Sequence, residues 1–363
     1  MTRRNFLILL LLAKVIFCFI SWYVIGSITK LGDTQDYLRG YFLFRETWTS
    51  TAFIMSITGK LFSSLVGYNV IANFPFMLIG FYGIYLGTKQ LVLTNSQWFG
   101  LLVCLCFPST LMWTSIHSKE AVLNLFFGVL AFLLIKRLNG ETWNVKEKIM
   151  LLITFALISF FKPLYAPAVF WFAFYSSTYN LRVKKLLITL TISLLGIASF
   201  IALLYIFEQE LASYLQTFHR NFSATGELTR VGRVWQTVDD FLLDALNGML
   251  IAFVGPTFNE AADKITLLPF FFEGIATLFI FAVLLLKSVA APKGMYVHTF
   301  FMLFGGVVLF FFAQYPLGFF NPGSALRYKQ AFQPFLFIMF FYFAFSSRNG
   351  QVNAQKSGQK YVS

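Results

Sequence analysis

The sequence predicts an all-α polytopic membrane protein of about ten transmembrane helices, with amphipathic helices lying on its outer face. Three observations carry that prediction. The chain is 58% hydrophobic, 20% aromatic and only 12% charged, which lies outside the composition of a soluble domain. Its apolar runs recur at lengths that cross, or nearly cross, a hydrocarbon core of about 30 Å. Its formal net charge of +13 is sorted by side of the membrane, an orientation signal and not a nucleic-acid footprint.

The first run, Phe6 to Ile28, follows Arg3 and Arg4. At about 23 residues it exceeds the apolar stretch of a signal peptide and suits a span, so it reads as an uncleaved first helix. Further runs lie at 69–87, 98–115, 120–136, 148–161, 164–180, 185–207, 267–287, 295–313 and 329–346. The short pair 148–161 and 164–180 is interrupted by "FFKPLYAP", where Pro163 and Pro167 oppose a continuous helix. A protein-lined hairpin turning at the outer side satisfies its backbone.

With the N-terminus in the cytoplasm, fifteen basic residues fall inside against two acids, Glu141 and Glu147, while the outer segments hold twelve basic and thirteen acidic residues. The positive-inside rule therefore puts both termini in the cytoplasm and leaves Lys14 inside the first span. The expected organisation is a single transmembrane domain over 1–346, with outer loops at 29–68, 208–266 and 314–328, and a polar cytoplasmic tail at 347–363. Two outer segments carry apolar stripes at helical spacing: Ile54, Ile57, Leu61, Phe62 and Leu65, and Trp235, Val238, Leu242, Leu246 and Met249. Both read as helices lying in the membrane interface. Cys18, Cys104 and Cys106 all fall inside apolar runs, so neither a disulfide framework nor a zinc site is implied.

Charges at membrane mouths are costly and mark functional candidates. On the outer side they gather at helix ends. "LGDTQDYLRGYFLF" supplies Asp33, Asp36 and Arg39 with Tyr37 and Tyr41; "FPSTLMWTSIHSKEAVL" supplies His117, Lys119 and Glu120 in a short turn after Trp113, an expected interfacial anchor. Glu120 equally suits the N-terminal dipole of the next helix. In "ISFFKPLYAPAVF" Lys162 either snorkels to headgroups or meets a lipid phosphate. In "NPGSALRYKQAFQPFLF" turn residues deliver Arg327 and Lys329, and arginine is the side chain best shaped for a forked grip on phosphate. The stretch "HRNFSATGELTRVGR" adds Arg220, Arg230 and Arg233, suited to an anionic glycan or diphosphate, or to a plain solvated loop. "VGPTFNEAADK", with Glu260 and Asp263, reads as a loop lip. There is no phosphate-binding P-loop, Gly-x-Ser-x-Gly elbow or metalloprotease His-Glu pair, and the charges stand at the outer face and not at the midplane, unlike a secondary transporter.

A first span, an outer loop opening with Asp33 and Tyr37, and a surface helix together resemble the polyprenyl-dependent membrane glycosyltransferases of the GT-C class. "FPSTLMWTSIHSKE" and "NPGSALRYKQAFQPFLF" resemble segments of bacterial O-antigen, capsule and exopolysaccharide assembly proteins, including Wzy-type and EpsG-type polymerases. That family's acidic motif commonly has a second acid directly after the first; here Thr34 stands there and Asp36 is the substitute, so no divalent metal is indicated and no other cofactor is expected. The resemblance implies a GT-C-like fold in the inner membrane and transfer of a sugar or oligosaccharide from a polyprenyl phosphate or diphosphate to an acceptor hydroxyl at the outer, periplasmic face. Asp33 or Asp36 is then the general base. Tyr37, Arg39, His117, Lys119, Glu120, Lys162, Arg220, Arg230, Arg233, Arg327 and Lys329 are the expected substrate contacts, and the expected partners are lipid, the polyprenyl-linked glycan and other polysaccharide-assembly proteins, with no nucleic acid. Two other readings stay open: a flippase for lipid-linked oligosaccharides, and a non-catalytic partner in polysaccharide export.

Overall fold

The computed structural model describes residues 1–178, 186–224, 230, 235–289 and 296–346. Among these residues all regular secondary structure is helical. The remainder, including Arg233, the basic stretch at 182–185, Lys293 and the tail after 346, lies outside the described residues. Among the described residues, six helices are long and apolar enough to cross a membrane, or up to eight if each of two bent pairs counts as one span. The chain divides into two compact units, one of residues 1–166 with 283–288 and Gln330 onward, the other of residues 167–282 and 289–329.

In the first unit, α1 (Arg3–Phe19) begins at Thr2, whose hydroxyl accepts the Asn5 N–H, and runs on through a π turn to Ile28. Phe6, Leu10, Lys14 and Cys18 share its buried face, while Ile8, Leu9, Leu12, Ile16 and Phe19 are exposed. A four-residue spacing on one side and bare aliphatics on the other is the division expected of a helix with one face on protein and one on lipid. After α2 (Gly26–Ile28) and α3 (Thr34–Arg39), the chain reverses at Gly40, whose φ of 75° only glycine adopts readily. Helix α4 (Thr51–Val66) follows, with Ile57, Leu61 and Leu65 exposed, the apolar stripe read from the sequence.

Helices α5 (Phe74–Gly87) and α8 (Lys119–Leu138) touch backbone to backbone. A Cβ on Gly83 would strike the Asn124 carbonyl, and one on Gly128 would strike the Gly83 carbonyl. Small residues at a crossing are how helices gain contact where lipid supplies no hydrophobic drive. Between these two, α6 (Asn95–Leu105) and α7 (Pro108–Thr114) are bent by 69°: Pro108 donates no N–H and Phe107 is extended, so the span breaks there. Helix α9 (Val145–Phe161) starts on a reciprocal cap, Asn144 with Glu147, and Glu147 also takes a salt bridge from Lys136. It stops at Lys162, and Pro163–Tyr165 forms a 3-10 turn, so the helix break read from "FFKPLYAP" is present.

The second unit carries α10 (Ala166–Thr178), α11 (Leu186–Ile206), α12 (Glu208–Ala224), α13 (Val238–Val254), α14 (Phe258–Asp263), most of α15 (Leu268–Val289), α16 (Tyr296–Gly318) and α17 (Pro322–Tyr328). The chain returns to the first unit through α18 (Gln333–Phe341). Its core is aromatic: Trp235 packs against Phe241, Tyr315, Phe319 and Phe320. Tyr315 lies on Gly248, where a Cβ would overlap its ring. One segment departs from the sequence reading: Val238–Asp263 is long and apolar enough to span, where a surface-lying helix was expected. Val238, Phe241, Ala245, Gly248 and Ala252 are buried, while Leu243, Leu246 and Leu250 are exposed. Apolar residues therefore occupy two faces and not the single stripe of an interfacial helix.

Gly83→Val should push α5 off α8 and cost about 1–3 kcal/mol, the usual range for overpacking. Thermal unfolding followed by tryptophan fluorescence in detergent checks this, with Gly196→Ala, whose Cβ would meet open space, as the variant expected to unfold at the wild-type temperature or above.

Candidate functional site at the end of the first helix

The residues from Ser115 to Ser118 leave helical geometry between α7 and α8 and are buried, so their polar groups call for partners inside the protein. Side chains from several elements, and one from the turn itself, supply them. Lys14, fully buried in α1, donates its ammonium to both the carbonyl and the hydroxyl of Thr114. Asn73 Oδ1 accepts the His117 N–H at 2.9 Å, and the Thr34 hydroxyl donates to the His117 carbonyl at 2.9 Å. Ser118 caps α8, accepting from Ala121 N–H, and its own hydroxyl donates to the Trp113 carbonyl.

His117 itself is fully buried against the Phe76 ring, and its Nε2 lies 2.9 Å from the Met55 carbonyl. Because a carbonyl only accepts, Nε2 carries the proton. Burial pushes its pKa down to about 3, while the bond to Met55 works the other way. The imidazole is neutral at physiological pH and ties α4 to the turn.

Around this knot the expected site residues assemble. The Tyr37 hydroxyl donates to Asp33 Oδ2 at 3.2 Å. Tyr37 is buried, and Asp33 is half-buried. The carbonyl of Tyr37 lies so close to Gly59 that any Cβ there would strike it, which seats α3 on α4. Lys119 donates to the Thr51 hydroxyl at 2.8 Å and its ammonium stands 6.0 Å from the Tyr37 ring centroid. Glu120 is fully buried in the first turn of α8. Phe161 packs against the Tyr37–Met55–Phe76 cluster, which brings the end of α9, and Lys162 after it, to the same place. Asp36 differs from Asp33: it pairs with Lys30 at 3.5 Å on a more open surface. Arg39 is exposed, its guanidinium 5.0 Å from the Tyr68 ring centroid. Trp113, expected at an interface, is instead buried with Leu31, Met112 and Ile116.

The other expected residues belong to the second unit. Arg327 is largely buried at the end of α17. Lys329 is fully buried and donates to the Phe253 carbonyl at 2.9 Å, at the C-terminal end of α13, where a cation suits the helix dipole. Arg230 makes a two-pronged bond to Glu260, 2.7 Å on each prong, and also reaches the carbonyls of Gly318 and Gly255. Its fork is committed to closing a loop, and Glu260 is its partner. Arg220 is exposed on α12.

Sequence reasoning set Lys14 aside and passed over Thr34, Asn73, Thr114 and Gln330. A lysine in the middle of a span was the available signal. The Gln330 side chain accepts from Thr110 at 2.7 Å and donates to Ser109 at 2.6 Å, and its carbonyl accepts from Asn124 at 2.9 Å. These bonds join α7, α8 and the approach to α18 over long sequence separations. Among the described residues no group of three or more His, Cys, Asp or Glu is arranged to hold a metal ion. No family model matches the chain, and none of the curated proteins or solved structures compared with it matches.

His117 takes up a proton near pH 6.5 in the unfolded chain and near 3 in the folded one, so the unfolded state binds more protons between those values. Its contribution to stability is complete above 6.5 and is lost as pH falls toward 3, at up to about 1.4 kcal/mol per pH unit. Chemical denaturation in detergent from pH 7 to 4 should show a steeper loss in wild type than in His117→Gln, which keeps a donor for Met55.

Proposed function

We propose that the protein is a multi-pass inner-membrane glycosyltransferase or polymerase of surface-glycan assembly, with about ten spans in a GT-C-like arrangement and both termini in the cytoplasm. It transfers a sugar or oligosaccharide from a polyprenyl phosphate or diphosphate to an acceptor hydroxyl at the periplasmic face. The observation that carries this reading is the convergence of a carboxylate, a phenol and an ammonium at one helix mouth: Asp33 bonded to Tyr37, with Lys119 over the Tyr37 ring.

In this mechanism Asp33 accepts the proton of the acceptor hydroxyl as that oxygen bonds to the anomeric carbon. The bond from the anomeric carbon to the phosphate oxygen breaks, and the carrier leaves with the electron pair. Positive charge develops on the sugar ring and negative charge on the departing phosphate. Cations aimed at that phosphate lower the barrier; Lys119 and Lys162 are the candidates in the unit that holds Asp33. The salt-bridged Asp36 is less suited to act as base than Asp33. A flippase for lipid-linked oligosaccharides is the second reading, favoured by charges deep in helices: Lys14 in α1 and Glu273 in α15 are both buried.

The test is mass spectrometry of lipid-linked and surface glycans from a deletion strain carrying wild type, Asp33→Asn or Arg327→Ala. Product should fall on the order of 10²-fold with Asp33→Asn. Accumulated single repeat units identify a polymerase, and a glycan lacking one sugar identifies a monosaccharide transferase. An unchanged profile in both variants rejects the catalytic reading; a profile that tolerates Asp33→Asn but fails with Lys14→Met points to the flippase.

A further inference from the structure

The second unit contains a groove of about 420 Å³ lined by Glu208, Gln209, Ala212, Ser213, Gln216, Gln236 and Thr237. Its size falls within the roughly 300–1,000 Å³ of small-ligand sites. Its lining does not resemble a lipid or drug pocket: Ala212 is the one apolar side chain among the seven. Polar groups set among the carbon stems of these side chains suit a ligand that presents both hydroxyls and C–H faces.

The groove has a fixed floor. Leu211 and Leu215 of α12 pack on the Trp235 cluster, which leaves Ala212 and Gln216 on the flank of that helix and Ser213 on its far side. Glu208 Oε1 accepts the Val238 N–H at 2.9 Å, and the Thr237 hydroxyl accepts the Asp240 N–H at 3.2 Å. The beginning of α13 is thereby tied to the beginning of α12. The three glutamines stand on this frame, and each amide offers both an acceptor oxygen and donor hydrogens. Vicinal sugar hydroxyls, which donate and accept from adjacent carbons, are the complementary chemistry. The one charged group in the lining is the Glu208 carboxylate, and Asp239 lies just beyond, bonded to Tyr205. Like charge disfavours an anionic ligand here.

We propose that this groove binds a neutral stretch of saccharide, the acceptor glycan in the transfer reaction proposed above. The inference rests on that reading for the glycan's role, but the binding itself does not. The diphosphate of a donor is excluded from the groove and must be held by the cations elsewhere.

The experiment is saturation-transfer NMR on the full chain in nanodiscs. The probes are a neutral glucose tetrasaccharide, a neutral N-acetylglucosamine tetrasaccharide and a hexuronate tetrasaccharide. At least one neutral probe should show transfer, with the hexuronate weaker. Ala212→Trp, which fills the groove, should abolish the signal, and Gln216→Leu or Gln236→Leu should weaken binding roughly tenfold. These side chains stand at a groove surface, and an unchanged thermal midpoint verifies the fold of each variant. No transfer from any probe, transfer that survives Ala212→Trp, or equal binding of the hexuronate overturns the proposal. Glycan profiles separate the two readings. Loss of product in Asp33→Asn without any groove binding rejects the groove alone. Groove binding with an unchanged Asp33→Asn profile rejects the transferase and leaves the saccharide site standing.

Discussion

Everything near the candidate site depends on one constraint: a turn placed between two apolar helices has no water to complete its hydrogen bonds. From Thr114 to Ser118 much of that requirement is met by side chains from α1, α3 and the segment before α5, and by the turn's own Ser118. The Lys14 ammonium sits on the last carbonyl of α7, where the helix dipole is negative. Since Lys14, Thr34 and Asn73 belong to separate elements, the turn cannot shift without breaking bonds to several of them together. Lys119 and Glu120 begin the helix that leaves this turn, and Asp33 immediately precedes the residue that donates to it. The charged groups are thus placed by the same bonds that make the break in the span tolerable.

The close approach of α5 and α8 extends the same logic. Gly83 and Gly128 bring two backbones together, and Asn124, beside that crossing, donates to the carbonyls of Glu120 and Gln330. A side chain at either glycine would pull this amide away from its acceptors. Packing and polar pairing are one structure here, since an amide buried in an apolar region is tolerated only while both halves of its geometry hold.

Much of this was legible in the sequence, and the boundary has physical reasons. The apolar runs became helices because length and hydrophobicity are properties of neighbours along the chain. The break at Pro163 was visible for the same reason, since proline acts on the residues beside it. Helix α13 was misplaced because Leu242, Leu246 and Met249 form a stripe that an interfacial helix and a two-sided span share; only packing of Phe241 and Ala245 on the Trp235 cluster separates them. His117 looked like a substrate contact because a histidine in a polar turn gives no sign of a carbonyl from 62 residues away. Arg230 looked like a glycan or diphosphate contact, or a solvated loop residue, and Glu260 like part of a loop lip, for a similar reason: their pairing spans 30 residues.

The cations sort themselves by what their hydrogens reach. Lys329 ends on carbonyls at the close of α13, and Arg230 ends on a carboxylate and on carbonyls near the close of α13 and α16. Such carbonyls are the unpaired acceptors of helix ends, and a cation that satisfies them cannot turn to a phosphate without exposing them. Lys119 stands differently: it reaches a hydroxyl, Thr51, and the face of Tyr37. A hydroxyl can exchange one partner for another by rotating, and an aromatic face loses little when the ammonium leaves it. That ammonium lies at the same helix mouth as Asp33, the carboxylate that accepts from Tyr37. That juxtaposition, more than the number of basic residues, is why the proposed chemistry centres on Asp33, Tyr37 and Lys119.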